Sequence, residues 1–106
     1  MNIAKTPSPP YYAVIFTCIR TEPDEGYQRM SEYMMELAQY QEGFLGVESA
    51  REEIGITVSY WKDLKAIDNW KQHAAHQNAQ EKGKNVWYES YTIRIAKVEA
   101  IREFDK

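Results

Sequence analysis

Cysteine is almost absent from this sequence, since Cys18 is the only one. A single thiol cannot form an intrachain disulfide, and a zinc site built from several cysteines is excluded as well. Long apolar runs are also missing, because no segment approaches the about 20 residues that a membrane-spanning helix needs. The N-terminus contains no apolar stretch of signal-peptide length, so a cytoplasmic protein is expected.

Clusters of positive charge are missing too. The formal net charge is -3, and lysine and arginine form no run along the chain. Binding to nucleic acid requires such residues to be gathered on one face, so the sequence disfavours that function. The 106 residues are 43% hydrophobic and 27% charged, which is typical of one ordinary folded domain.

Aromatic residues, in contrast, are plentiful: the chain has three Trp, eight Tyr and three Phe. Their rigid rings, some with a polar tip, line protein cores, interfaces and ligand cavities alike. We therefore expect an aromatic interface, an aromatic pocket, or both.

Hydrophobic patterning predicts strands in four places. Residues 11–19 are rich in β-branched and aromatic side chains. Residues 44–51 and 56–62 are strand-like runs that meet near Gly55, a short connection that suits an antiparallel hairpin. A long last strand is predicted over residues 86–101.

Amphipathic helices are predicted between these strands. Apolar side chains recur at three- and four-residue steps in residues 25–41, with Asp24 as a suitable N-cap and Gly43 placed for a left-handed conformation. Asp63 is predicted to cap a second helix.

That second helix is predicted to kink near residues 74–76, to continue to about Lys82 and to end at Gly83. Residues 1–10 contain three prolines, so they are predicted to be a flexible arm outside the domain of residues 11–106.

The order β-α-β-β-α-β predicts an α+β fold, with a four-stranded antiparallel sheet and both helices on one face. Strand one is apolar on both sides, however. One side carries Tyr12, Val14, Phe16 and Cys18, and the other carries Tyr11, Ala13, Ile15, Thr17 and Ile19. Since the helices cover one face only, the sheet of a second copy is the simplest cover for the other, which predicts a homodimer. Packing under the N-terminal arm, as a monomer, is the alternative.

Three segments, EGFLGVESAR, GITVSYWKDLKAIDNWKQHAAH and WYESYTIRIAKV, resemble the antibiotic biosynthesis monooxygenase (ABM) domain family. The most specific part is an ordered set of motifs: Gly43-Phe44-Leu45-Gly46, Tyr60-Trp61, Trp70 and His73-Ala74-Ala75-His76. The resemblance implies a ferredoxin-like monomer, a homodimer of the dimeric α/β barrel group, and a pocket between each sheet and its helices.

The family includes cofactor-independent oxygenases of polycyclic phenols and quinols, and haem-degrading enzymes. The resemblance therefore implies a monooxygenase for a small aromatic phenol or quinol, with no metal or cofactor, in which Trp70 and Tyr60 hold the substrate and His76 helps to deprotonate it. The expected substrate-binding residues are Phe16, Met34, His73, Trp87 and Tyr91. A dimer that binds a small molecule without turnover is the alternative.

Haem degradation is the weaker interpretation. The haem-degrading branch places an Asn on strand one, where this chain has Thr17 and Cys18, and His76 follows Trp70 more closely than that branch implies. His73 and His76 are three residues apart on a predicted helix, but a metal site would need a third ligand. Cys18 is predicted to be buried and inert.

Several of these residues also have an ordinary structural explanation. Trp70 lies in the apolar stripe of its helix and is equally a core anchor, and Met34 belongs to the core stripe of the first helix. Tyr60 and Trp61 must point to opposite faces of strand three. Because Tyr60 shares parity with Ile56 and Val58, it is predicted to be the one that faces the helices.

Overall fold

The computed structural model describes residues 2–21, 26–73 and 87–106. Its strands and helices are β1 (Tyr11–Arg20), α1 (Tyr27–Gln39), β2 (Phe44–Arg51), β3 (Gly55–Trp61), α2 (Leu64–Lys71) and β4 (Tyr88–Val98). The predicted order is confirmed, and the fold is the ferredoxin-like α+β arrangement.

The four strands form one antiparallel sheet in the order β2-β3-β1-β4. β1 is central and pairs along its length with both neighbours: Tyr12 lies opposite Trp61 of β3 on one side and Lys97 of β4 on the other. These three positions therefore share one face of the sheet, and that register decides which side chains meet the helices.

Both helices pack on this face, which we call the helix face. The buried core joins Trp61 of β3 to one side of each helix, and β1 packs against it through Tyr12 and Val14. The core residues of the helices are Met34 and Ala38 of α1 and Ala66, Ile67 and Trp70 of α2. The division of β1 into two faces by alternation is thus confirmed.

The predicted orientation of strand three is wrong. Trp61, with 0% of its surface exposed, faces the helices, whereas Tyr60 lies opposite Ala13 on the other side of the sheet. Alternation required only that the two side chains point apart. The larger and more apolar indole occupies the core, and the phenol is on the side where its hydroxyl finds a carboxylate partner, Glu48.

The helix ends differ from the prediction in detail. α1 begins after Gly26, an N-cap with φ of 80°, while Asp24 lies outside the described residues. Gly43 has a φ of 89°, the left-handed conformation predicted for it. Asp63 caps α2 as predicted, since its side chain accepts a hydrogen bond of 2.8 Å from the backbone N–H of Ala66. α2 ends at Lys71, and the predicted kink and continuation to Gly83 lie outside the described residues.

β4 is shorter than predicted and ends at Val98, which pairs with Tyr11, the first residue of β1. Residues 99 and 100 would have to pair with Pro10 and Pro9, and proline has no backbone N–H to donate. The predicted start at Val86 lies outside the described residues.

The face turned away from the helices, which we call the outer face, is covered at one end by residues 2–10. These form no helix or strand, yet the Ala4 N–H donates to Glu48 Oε2 at 3.0 Å, and the Thr6 and Tyr11 hydroxyls are 2.7 Å apart. At the other end, Ile19 and Ile56 are 41% and 44% exposed. No helix among the described residues is long and apolar enough to cross a bilayer.

Candidate functional site

A cavity of about 380 Å³ lies between the helices and the helix face of the sheet. Its volume is in the usual range for sites that hold small molecules. Both helices and all four strands contribute to the described lining, which is mainly apolar and aromatic. The fold thus places a ligand-sized space directly beside the core.

One wall of the cavity is continuous with the core. Trp70 is 8% exposed and lines the cavity, and its ring also stacks on that of Trp61 with 5.9 Å between centroids. Met30 and Met34 of α1 complete this wall together with Ile67. The two explanations of Trp70, core anchor and cavity wall, are therefore compatible.

The opposite end of the cavity is a cluster of aromatic rings from β1, α1 and β4. Phe16 contacts Tyr88 and Tyr91, each with centroids 5.3 Å apart. Tyr27 meets Trp87 and Tyr88 edge to face, with centroids at 5.7 and 5.9 Å. All five line the cavity, so a flat ligand would find aromatic edges and faces at this end.

Tyr27, at this end of the cavity, makes two polar contacts. The Tyr88 hydroxyl donates to the Tyr27 hydroxyl at 3.4 Å, and the guanidinium carbon of Arg20 lies 3.5 Å from the centroid of the Tyr27 ring. Burial raises the pKa of Tyr88 well above its ordinary value, and the hydrogen bond to Tyr27 adds to the rise. Tyr88 is therefore a neutral hydroxyl at physiological pH.

The structure brings together five of the residues predicted from sequence to form the site. Phe16, Met34, Trp70, Trp87 and Tyr91 all line the cavity. Their roles with a ligand stay predictions, but their common location follows from the register of β1 with β4 and from the inward faces of the two helices.

Three other predicted site residues are placed differently. The Tyr60 side chain is on the outer face, where its hydroxyl donates to Glu48 Oε1 at 2.7 Å, and burial together with this hydrogen bond raises its pKa to about 12. His73 is not among the described lining residues, although its ring is 5.8 Å from that of Trp70. His76 lies outside the described residues.

Sequence reasoning missed Tyr27, Tyr88 and Arg20 as site residues. A signal existed: Arg20 has the same parity as Phe16 on β1, and Tyr27 belongs to the apolar stripe of the first helix. Nothing in the sequence, however, indicates that the start of α1 and the start of β4 meet at the end of β1.

Cys18 is buried, as predicted, with 4% of its surface exposed. The cation beside its sulfur is Arg51, whose Nη2 is 3.3 Å from Sγ. Gly55 makes this contact possible, because a Cβ at that position would collide with the Arg51 guanidinium. In the described ranges, no three His, Cys, Asp or Glu side chains are grouped as metal ligands would be.

A ferredoxin-like sheet with an aromatic cavity under its helices places this protein among small α+β domains. Within that class, the sequence model of the family called antibiotic biosynthesis monooxygenase matches residues 10–82, more than half of the chain. The chain belongs to this family, as its motifs indicated.

The chain is also similar to individual known proteins. The uncharacterized protein YqjZ of Bacillus subtilis (strain 168) is 55% identical over 106 residues, which cover 98% of this chain and 93% of YqjZ. The jasmonate monooxygenase ABM of Pyricularia oryzae is 38% identical over 45 residues, 42% of this chain but only 21% of that enzyme. The crystal structure of a mutant of SnoaB, a cofactor-independent oxygenase from Streptomyces nogalater, superposes with a TM-score of 0.72 at 9% identity, covering 89% of this chain and 95% of SnoaB.

Proposed function

We propose that this protein is a cofactor-independent monooxygenase that oxidises a small phenol or quinol in the cavity under its helices. The observation that carries the proposal is the cavity itself, about 380 Å³ in volume and lined by aromatic and thioether side chains. Membership of the ABM family supports it, as do the likeness in fold to SnoaB and the partial sequence match to a jasmonate monooxygenase.

The shape of the lining favours a flat aromatic substrate. Trp70 offers a ring to one side of the space, and the flexible side chains of Met30 and Met34 adapt to a planar surface. The aromatic cluster around Phe16 closes the opposite end. A phenol bound between these walls is shielded from bulk water, which protects reactive intermediates.

The proposed chemistry balances without an added reductant. The phenol loses its O–H proton, and the resulting electron-rich anion gives electrons to O₂, after which one oxygen atom bonds to a ring carbon as a peroxide. That carbon loses its C–H proton, the O–O bond breaks, and a quinone and water are formed. A phenol plus O₂ thus yields a quinone plus H₂O, with all four electrons supplied by the substrate. His76 remains our proposed proton acceptor.

Oxygen uptake tests this proposal directly. Purified protein is supplied with a panel of phenols and quinols, and the rates of the parent, His76→Ala and Trp70→Phe are compared. We expect at least one substrate to be consumed, with a kcat about 10²-fold lower in His76→Ala, as is usual for loss of a general base. Trp70→Phe should mainly raise KM, since it removes stacking area.

Tyr40→Phe is the matched control, because Tyr40 is 79% exposed and is not among the described lining residues. If no substrate is consumed, or if neither His76→Ala nor Trp70→Phe changes the rate, the oxygenase assignment is wrong. Saturable binding of the same compounds without oxygen uptake would instead support a binding protein that performs no turnover.

We also propose that the protein is a homodimer whose two outer faces pack together. The exposed isoleucines at the uncovered end of this face support the proposal, because burying them against a second copy removes apolar surface from water. The N-terminal arm then borders the interface at its other end, where it is held against Glu48.

A further inference from the structure

The two tyrosine hydroxyls at the aromatic end of the cavity form a directed pair. Tyr88 donates its proton to the Tyr27 hydroxyl, which uses an acceptor site of Tyr27 and leaves that residue's own proton to be donated elsewhere. In the described part of the chain, no atom accepts the Tyr27 proton. Both residues line the cavity, so the Tyr27 hydroxyl is placed to donate to an atom of a ligand bound there.

Two guanidinium groups lie near the Tyr27 ring. The Arg20 guanidinium is stacked on the Tyr27 ring at 3.5 Å, and that of Arg51 is 5.9 Å from the same centroid. A cation at a partly buried site favours negative charge on a nearby oxygen, because screening by solvent is weak there. A hydroxyl that accepts one hydrogen bond also becomes a stronger donor of the next.

We propose that the Tyr27 hydroxyl binds the ionised oxygen of a phenolic ligand, and that Tyr88 and Arg20 are positioning residues which strengthen this hydrogen bond. The inference rests on the proposed function for the class of ligand and assigns that ligand's orientation: its acidic hydroxyl points to the aromatic end, with its ring between Phe16 and Trp70. Hydrogen bonds to an ionised acceptor are about twice as strong as neutral ones, so the site selects the phenolate.

Tyr88 suits this role because its hydroxyl donates to Tyr27, and burial raises its pKa, which favours the protonated donor form. Lys71 of α2 also lines the cavity, next to Trp70 in the chain, and its ammonium group is a second candidate for binding the phenolate oxygen. The described titratable and charged side chains around this cavity end and at its Lys71 wall are Cys18, Arg20, Tyr27, Arg51, Lys71, Tyr88 and Tyr91.

The test is a binding titration with 4-nitrophenol, whose phenolate is coloured and whose phenol is not. The pKa of the bound probe is read from its absorbance as pH is varied, and 4-nitroanisole, the methyl ether that cannot ionise, is the matched neutral ligand. We expect the bound probe to ionise about one pH unit lower than the free one, a tenfold preference for the phenolate. Tyr27→Phe should abolish that preference, and Tyr88→Phe and Arg20→Gln should reduce it.

Each variant should still bind the anisole, which shows that it is folded. Tyr33→Phe is the control, because Tyr33 lies on α1, is 49% exposed and is not in the described lining. The proposal is overturned if the probe does not bind at millimolar concentration, if it binds with an unshifted pKa, or if Lys71→Gln rather than Tyr27→Phe removes the shift.

The experiments distinguish failure of phenolate binding by Tyr27 from failure of the proposed oxygenase activity. A phenolate preference that depends on Tyr27, without oxygen uptake from any substrate, supports phenolate binding by Tyr27 and refutes the oxygenase activity. Oxygen uptake that is unchanged in Tyr27→Phe, together with an unshifted pKa of the bound probe, supports the oxygenase activity and refutes phenolate binding by Tyr27.

Discussion

Trp61 and Trp70 stack with their ring centroids 5.9 Å apart and their planes inclined by 27°. The contact joins β3 to α2, and Phe44 of β2 packs edge to face on Trp61 from the other side, at 5.3 Å. Trp61 has no exposed surface, whereas Trp70 reaches the cavity. The position of the cavity wall is therefore fixed by the packing of the core.

Replacing Trp61 by alanine should destabilise the protein strongly. The change leaves a void among Met34, Ala66 and Trp70 and removes the largest fully buried side chain, so a loss of about 3–5 kcal/mol in the free energy of unfolding is expected. Urea denaturation followed by circular dichroism measures it. Tyr40→Ala, at a residue that is 79% exposed, should cost less than about 0.5 kcal/mol. Similar losses for the two variants would contradict the placement of Trp61.

Alanine substitutions at the two glycines with positive φ, Gly26 and Gly43, distinguish the cost of backbone strain from the cost of a steric collision. A Cβ on Gly43, whose φ is 89°, would lie 2.6 Å from Cβ of Ala66, while one on Gly26, whose φ is 80°, would meet its nearest atom, on Trp87, at 3.9 Å. Gly26→Ala should therefore show only the cost of the left-handed conformation, about 1–2 kcal/mol. Gly43→Ala should cost at least about 1 kcal/mol more, because the α2 backbone must move. Equal melting temperatures for the two variants would speak against this close approach.

Alkaline pH should weaken the outer face through Tyr60. Its pKa is raised from 10.0 to about 12 by burial and by the hydrogen bond to Glu48, so the folded state holds the proton more tightly than the unfolded state does. The resulting stability is complete below pH 10 and is lost as pH rises from 10 to 12. Tyr60→Phe should lose less stability than the parent over that interval.

Ultraviolet absorbance of tyrosinate checks the same assignment. One group titrating near pH 12 should be missing from Tyr60→Phe, and Glu48→Gln should move that group towards pH 10, because the carboxylate acceptor and its charge are both removed. A titration curve unaffected by either change would show that Tyr60 and Glu48 are not paired in solution.

If the outer faces pack together, a charge introduced on the outer face should weaken the dimer, whereas a charge introduced on the helix side should not. Ile56→Lys would bury an unpaired ammonium group between the two sheets and should raise the dissociation constant of the dimer at least about tenfold. Leu64→Lys is the control, because Leu64 is 52% exposed on α2, at the opposite side of the sheet. Sedimentation at micromolar concentration distinguishes the cases, and a parent protein of monomer mass would refute the dimer.

Local sequence patterns determined the elements of this fold. Period-two alternation assigned both faces of β1, and the glycine between two strand-like runs predicted the hairpin of β2 and β3. The cap at Asp63 and the left-handed Gly43 follow from the chemistry of those residues alone. Such features involve neighbours within about four residues, so the chain encodes them without reference to the rest of the molecule.

The tertiary structure decided which face of each strand is turned to the helices and which residues come together at the site. Alternation is unchanged when a strand is turned over, so only the pairing of Trp61 with Tyr12 places the indole, and not Tyr60, under the helices. An irregularity between Phe44 and Gly46 then shifts the parity of β2.

In the cluster of Arg20, Tyr27 and Tyr88, the last residue lies on β4, 61 positions along the chain from Tyr27. Contacts of that kind depend on register and packing of the whole domain, because no local interaction holds such distant residues together. The sequence by itself therefore determined the strands, the helices and several cavity residues, and only the folded sheet determined where their polar groups converge.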